Sequence, residues 1–328
     1  MTGKQSPPNP DPETCDVAVV GGGAAGLESA LVLGRQGRSV IVLDSGDYRN
    51  ARSTGAHMLI GMEGTPPADI RARAHDELAA LDTVRYRRTA VTDGRADAER
   101  DGVELACDDG TAIFARRVIV GSGLRDVIDG LPGLAESHGR YSFHCPYCHG
   151  HEARGKDIVV VSVPGTPPMK AAYQALYLRD RISDRVRLLA ERSSIPEELL
   201  AALPETGVEL IDGAATGISG EPGAVEVTST STGPLQCEVV FAVPPTAAGG
   251  DLGERLGAEM NGGCIVVDDH GRSSVPQVFA AGDCAVRRGE PEPLTFVAQA
   301  IGEGQQVAVW ADQDLFMSDP RIPVRTAQ

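Results

Sequence analysis

The sequence predicts an α/β protein made of two doubly wound units, each a mostly parallel sheet flanked by helices. Three observations predict it: a glycine-rich turn between an apolar strand and a helix near the N-terminus, a second strand–helix–strand unit from residue 157, and an apolar strand ending in Gly282-Asp283. At 328 residues the chain exceeds the roughly 100–200 residues of one core, so two domains are expected.

Asp16 to Val20 is a short apolar, β-branched run. Gly21-Gly22-Gly23-Ala24-Ala25-Gly26 follows, then an amphipathic stretch to Arg35 that ends at Gly37. Ser39 to Leu43 is a second buried strand and Asp44 closes it, so a βαβ unit spans 16–44. In such a unit Gly21 permits the tight turn, Gly23 lets backbone approach a pyrophosphate, and Gly26 allows close helix–strand packing. Asp44, at the end of the second strand, suits a ribose hydroxyl. The motif indicates a dinucleotide and does not by itself separate FAD from NAD.

Ile70 to Asp82 reads as a helix, and Val84 to Val118 as short strands with hairpin signals at Asp93-Gly94, Asp101-Gly102 and Asp109-Gly110. Leu131-Pro132-Gly133 reads as a linker. The second unit opens with a strand at Asp157 to Val161, continues through a helix near Met169 to Arg179, and reaches strands at Val186 to Leu189 and Val239 to Val243. Val275 to Asp283 is a strand ending in Gly-Asp, and Leu294 to Trp310 a long helix.

Composition narrows the function. Hydrophobic residues make up 41% and charged residues 23% of the chain, and no apolar run approaches the ~20 residues of a membrane span. The formal charge of −16 argues against nucleic acid or an anionic membrane as partner, because both require a basic face. Residues 1–14 are polar and proline-rich without a secretory pattern, and are expected to be a disordered lead-in to a cytoplasmic protein. Of seven cysteines, Cys15, Cys107, Cys237, Cys264 and Cys284 stand singly and read as small hydrophobes.

Cys145 and Cys148 form the one close pair, in Cys-Pro-Tyr-Cys. At a helix start, exposed amides lower a cysteine pKa from about 8.5 toward roughly 3.5–7.5 and give a reactive thiolate. Zinc would need two further ligands; His144, His149 and His151 lie close, but four ligands within eight residues make a cramped site, so no metal is expected. An imidazole near neutral pKa suits a base for a substrate thiol. His149 is the first choice and His144 the second.

Three motifs in order carry a resemblance: G-G-G-A-A-G at 21–26, C-P-Y-C at 145–148 with Gly139-Arg140 before it and Arg154-Gly155-Lys156-Asp157 after it, and V-F-A-A-G-D at 278–283. From about Asp16 to Ala311 the chain resembles the low-molecular-weight thioredoxin reductases. That resemblance implies two Rossmann-like domains: an FAD domain of 15–124 and 247–328, and an inserted domain of 125–246 carrying the Cys pair. It implies FAD contacts at Gly21, Gly23, Ala25, Gly26, Asp44, Val91, Gly121, Gly282 and Asp283, the last on the ribityl chain. It also implies that Gln299 and Ala300 begin a helix facing the pyrimidine edge of the flavin, that Cys148 is the flavin-proximal sulfur and Cys145 the substrate-facing one, and that the protein is a homodimer.

Two departures redirect the reading. Where the reductases carry a second glycine turn for NADPH, this chain has Ser162-Val163-Pro164-Gly165-Thr166-Pro167-Pro168-Met169, and proline offers no amide hydrogen. One strand later Glu191 stands where a 2′-phosphate would bind, so the NADPH site reads as degenerate and NADPH is not expected as a cofactor. The second departure is His149 after Cys148, in place of an acid. With both changes the chain resembles the FAD-dependent dithiol oxidases that close disulfides in natural products such as gliotoxin and holomycin. That implies a small-molecule dithiol as substrate, O2 as electron acceptor and H2O2 as product. An NADPH- or otherwise-fed disulfide reductase, and a flavin-bearing redox sensor or binder, are the alternatives.

Overall fold

A computed structural model of the chain describes residues 12–322. The described residues divide into two units, one of residues 12–48, 70–124 and 248–322, the other of 49–69 and 125–247.

The first unit is built on a seven-stranded sheet. In order across it lie Val84–Arg88, Val40–Asp44, Glu13–Val20, Ala112–Val120, Gly102–Cys107 and Val91–Asp97, with Val278–Ala280 also paired to Ala112–Val120. The pairings among Val84–Arg88, Val40–Asp44, Glu13–Val20, Ala112–Val120 and Val278–Ala280 are parallel, and the last two strands form an antiparallel edge. Val40 to Asp44 is buried throughout because helices and loops cover a parallel sheet on both faces. Helices Ala24–Arg35 and Val297–Met317 pack against each other so closely that a Cβ on Gly304 would stand 2.3 Å from the carbonyl oxygen of Ala25. Leu33, Val42, Phe279 and Val307 fill the core beneath them.

The second unit holds a parallel sheet of five strands in the order Glu209–Asp212, Val186–Ala190, Ile158–Val161, Val239–Ala242 and Ser142–Phe143. Helices Pro168–Arg181 and Glu197–Thr206 pack on it through Leu178, Leu199 and Leu203. A three-stranded antiparallel sheet, Ala215–Glu221, Ala224–Ser229 and Leu235–Cys237, completes the unit.

Several expectations need correction. The lead-in expected over 1–14 lies outside the described residues up to residue 11, and Glu13 and Thr14 already belong to the first strand. Residues 49–69, read as part of the FAD domain, belong to the second unit, where Arg49 pairs with Asp126. Leu131-Pro132-Gly133 is no linker: Leu131 is buried and the carbonyl of Pro132 accepts the amide of Ile218. Asp93-Gly94 lies within the strand Val91–Asp97, where Gly94 makes room for Leu252 and Leu256, so that glycine serves packing and not a turn. No helix among the described residues is long and apolar enough to cross a membrane.

Candidate active site

In the first unit, the chain leaves its first strand at Gly21, whose φ of 109° and whose approach to the carbonyl of Gly121 exclude a side chain. Gly121 returns its amide to Val20. A Cβ on Gly26 would stand 1.9 Å from the carbonyl oxygen of Gly21, so the turn, the helix and the strand end at Gly121 meet backbone to backbone. Gly23 differs: a Cβ there meets nothing within 4 Å, leaving the space above the turn open. Buried Ala25 lies beside Gly282.

Asp44 is buried, and its carboxylate accepts the amides of Gly22 and Gly46 and the hydroxyls of Tyr48 and Tyr86. Burial raises its pKa, but the two hydroxyls and two amides outweigh burial and hold it below the usual range. The carboxylate thus orders the turn itself.

Gly282 and Asp283 lie in the 3-10 turn Gly282–Cys284, where the Gly282 amide donates to Glu303 and Gln299 donates to the other oxygen of Glu303. The helix expected to begin at Gln299 and Ala300 begins at Val297, and the amide of Ala300 already donates to Phe296. The amides without an intrahelical acceptor are those of Val297 to Gln299. Val91 opens the edge strand Val91–Asp97 opposite Cys107 and packs against the core. The open face of Gly23, the crowded Gly21–Gly26–Gly121 contact and the helix start at Val297 fit a bound FAD.

In the second unit, Cys145 and Cys148 are disulfide-bonded with Cα atoms 5.2 Å apart. Cys145 caps a single helical turn, Pro146–His149, and its sulfur accepts the amide of Cys148 at 3.1 Å. The turn is too short for a helix dipole of consequence; that one amide supplies the local field. Cys15, Cys107, Cys237, Cys264 and Cys284 are buried free thiols, and burial pushes Cys15 and Cys237 up to about 12.

His149 stacks on Phe143 with ring centroids 4.2 Å apart, meets the edge of His57 at 5.6 Å, and brings Nε2 to 3.4 Å from the Ser53 hydroxyl. Its Nδ1 is buried without a hydrogen-bond partner among the described residues. Burial, and then the neighbouring His57, push it down to about 4, so it is a neutral imidazole at pH 7. His57 in turn pairs with Glu63 at 2.8 Å.

His144 stacks on His138, and the two bring Nδ1 and Nε2 to 3.9 and 3.4 Å from the same oxygen of Asp126. The other oxygen of Asp126 takes Arg49 at 2.7 Å. Burial raises the Asp126 carboxyl, but His138 and Arg49 hold it well below the usual range. Burial likewise pushes His144 down to about 4 against the pull of Asp126. Gln174, from the helix Pro168–Arg181, donates to the backbone carbonyl of His144 at 2.6 Å and so ties down the residue before Cys145. His151 is exposed.

Arg49, Ser53, His57, Asp126, His138 and Gln174 were not legible as site residues. One signal was available: four of the seven histidines, His138, His144, His149 and His151, fall within the 14 residues from 138 to 151.

A Rossmann-like unit with a glycine turn, joined in one chain to a unit bearing a Cys-x-x-Cys disulfide, defines a disulfide oxidoreductase. The chain belongs to the pyridine nucleotide-disulphide oxidoreductases, whose family model matches residues 15–304, and this membership implies FAD. It is similar to thioredoxin reductase tcpT of Claviceps purpurea (strain 20.1), 30% identical over 310 residues that cover 90% of this chain and 95% of that one. Thioredoxin reductase sirT of Leptosphaeria maculans is 29% identical over 309 residues, covering 89% and 92%. Among solved structures, HlmI superposes with a TM-score of 0.83 at 31% identity, covering 93% of each chain.

Proposed function

We propose that the protein is an FAD-dependent dithiol oxidase that closes an intramolecular disulfide in a small-molecule dithiol. FAD, when bound, accepts the electron pair and passes it to O2, giving H2O2. The observation that carries this direction of electron flow is the turn at 162–169. Its three prolines have no amide hydrogen, and the amides of Ser162 and Thr166 go to Leu189 and Val163. That leaves fewer backbone donors for a pyrophosphate than a glycine turn presents. Glu191, exposed at the end of the next strand, repels a 2′-phosphate.

In this reading a substrate thiolate attacks Cys145, forming a substrate–Cys145 disulfide while the Cys145–Cys148 bond breaks and Cys148 leaves as thiolate. The second substrate thiolate then attacks the substrate's own sulfur, closing the product disulfide and expelling Cys145 as thiolate. The Cys148 amide, already aimed at that sulfur, stabilises the expelled thiolate. Both substrate protons are taken by neutral imidazoles, His149 first and His144 second, and passed to solvent. Loss of two electrons re-forms the Cys145–Cys148 bond.

The test is anaerobic mixing with dithiothreitol or NADPH while the flavin spectrum is followed, then admission of air. Bleaching by the dithiol alone, and peroxide on reoxidation, are expected. Rapid bleaching by micromolar NADPH would favour the reductase reading instead.

A further inference from the structure

We propose that Asp126, His138 and His144 form a binding site for a divalent transition metal of the zinc class. Each offers one donor atom, and the three lie within 4.8 Å of one another. Asp126 is the decisive member. Its side chain is only 5% exposed, and one of its oxygens is buried without a hydrogen-bond partner among the described residues. That oxygen faces Nε2 of His138 and Nδ1 of His144 at 3.4 and 3.9 Å, both longer than a good hydrogen bond.

A buried carboxylate oxygen left without a donor is costly, and an ion between the three atoms removes that cost. Two imidazoles and one carboxylate suit zinc or its neighbours better than magnesium or calcium, which select oxygen donors. Arg49 holds the far oxygen of Asp126, and the three donor atoms, within 4.8 Å of one another, need to close by about 1 Å to reach zinc–ligand distances. Arg49 also neutralises Asp126, so the site carries no net charge with both imidazoles neutral. Its affinity rests on coordination more than on long-range attraction. None of the three donors is a cysteine, which separates this site from a zinc reading of the Cys-x-x-Cys pair.

The test uses the full-length, air-oxidised protein, with the Cys145–Cys148 disulfide closed so that it does not compete. The protein is dialysed against buffered zinc and its retained metal counted, beside the variants His138→Asn, His144→Asn and, as a control outside the site, His151→Asn. One zinc per chain is expected for the parent and His151→Asn, with binding at least ~10-fold weaker in the other two. Since His138 is buried, far-UV circular dichroism and FAD content are read for each variant; should His138→Asn misfold, His144→Asn decides alone. Absence of bound zinc in the parent, or undiminished binding in folded His144→Asn, would overturn the site. Zinc on Nδ1 of His144 would take that imidazole out of proton transfer and leave His149 as the base; metal is counted without turnover, so a failed oxidase assay leaves the zinc count standing.

Discussion

The amide of Cys148 points at the sulfur of Cys145, 3.1 Å away, so the two cysteines are unequal before any substrate arrives. A thiolate at Cys145 receives a hydrogen bond from the residue that would be its disulfide partner, and nothing comparable is directed at Cys148 by that turn. The asymmetry follows from Cys145 capping the turn that contains Cys148.

Cys145→Ser and Cys148→Ser are both expected to lower dithiol turnover on the order of a thousandfold or more, since each removes half of the redox pair. They should differ in colour. With Cys148 flavin-proximal, Cys145→Ser leaves a free Cys148 thiolate that gives a long-wavelength charge-transfer band. A band in Cys148→Ser and none in Cys145→Ser would reverse the order of the two sulfurs.

Two glycines of the first turn should fail differently. Gly23→Val places its side chain in open space, so the protein should fold with an unchanged far-UV spectrum yet carry less than about a tenth of the parent's FAD, read from the ratio of flavin to protein absorbance. Gly26→Ala drives a methyl group into the carbonyl of Gly21 and should instead destabilise the fold by about 1–3 kcal/mol, read as a lower thermal midpoint. Normal FAD content in Gly23→Val would remove this turn from the cofactor site.

Removing the counter-charge of Asp126 should be expensive. Arg49→Met leaves the buried carboxylate with only His138 and His144 beside it and is expected to cost about 3 kcal/mol in chemical denaturation. Adding Asp126→Asn should restore part of that loss. Simple additivity of the two substitutions would mean that the pair is not coupled.

His149 sets a pH dependence whose sign is fixed. Its folded value is pushed down to about 4, against about 6.5 for an unperturbed histidine, so between these values the unfolded chain binds more protons than the folded one. Its contribution therefore falls as pH drops from 6.5 toward 4, with a slope of at most about 1.4 kcal/mol per pH unit. His149→Gln should show a shallower loss of stability across that window, followed by urea denaturation at several pH values. An unchanged slope would mean that the imbalance lies elsewhere.

The elements with periodic or contiguous patterns were legible in the sequence. Val17 to Val20, the helix to Arg35 and the strand ending at Asp44 stand where the apolar run, the glycines and the acid indicated, because each signal is local. The site was legible only where it is contiguous, from His144 to His149. Its remaining members are scattered along the chain, Ser53 and His57 in a segment without regular secondary structure, Asp126 at the end of the short strand Leu124–Asp126 and His138 just past the helix Leu134–Ser137, and only tertiary contact joins them to the Cys motif. The same reason explains Asp93-Gly94: its hairpin signal is intrinsic to the dipeptide, whereas Leu252 and Leu256, which claim the space beside Gly94, are more than 150 residues away. Asp44 was read as an acceptor for a ligand, and local sequence held no sign that Tyr86 from the next strand would reach it.

The assignment of residues 49–69 to the second unit bears on how the chain is synthesised and how it can be cut. As the chain leaves the ribosome, Arg49, Ser53 and His57 emerge long before the residues they serve, and the first unit gains its helix Val297–Met317 only after the whole second unit has emerged. The second unit can close once residue 247 has emerged, while the first still waits for its last segment. A protein trimmed to 125–247 would keep both cysteines and lose the arginine beside Asp126 and the hydroxyl beside His149, so the excised piece would not be a faithful miniature of its parent.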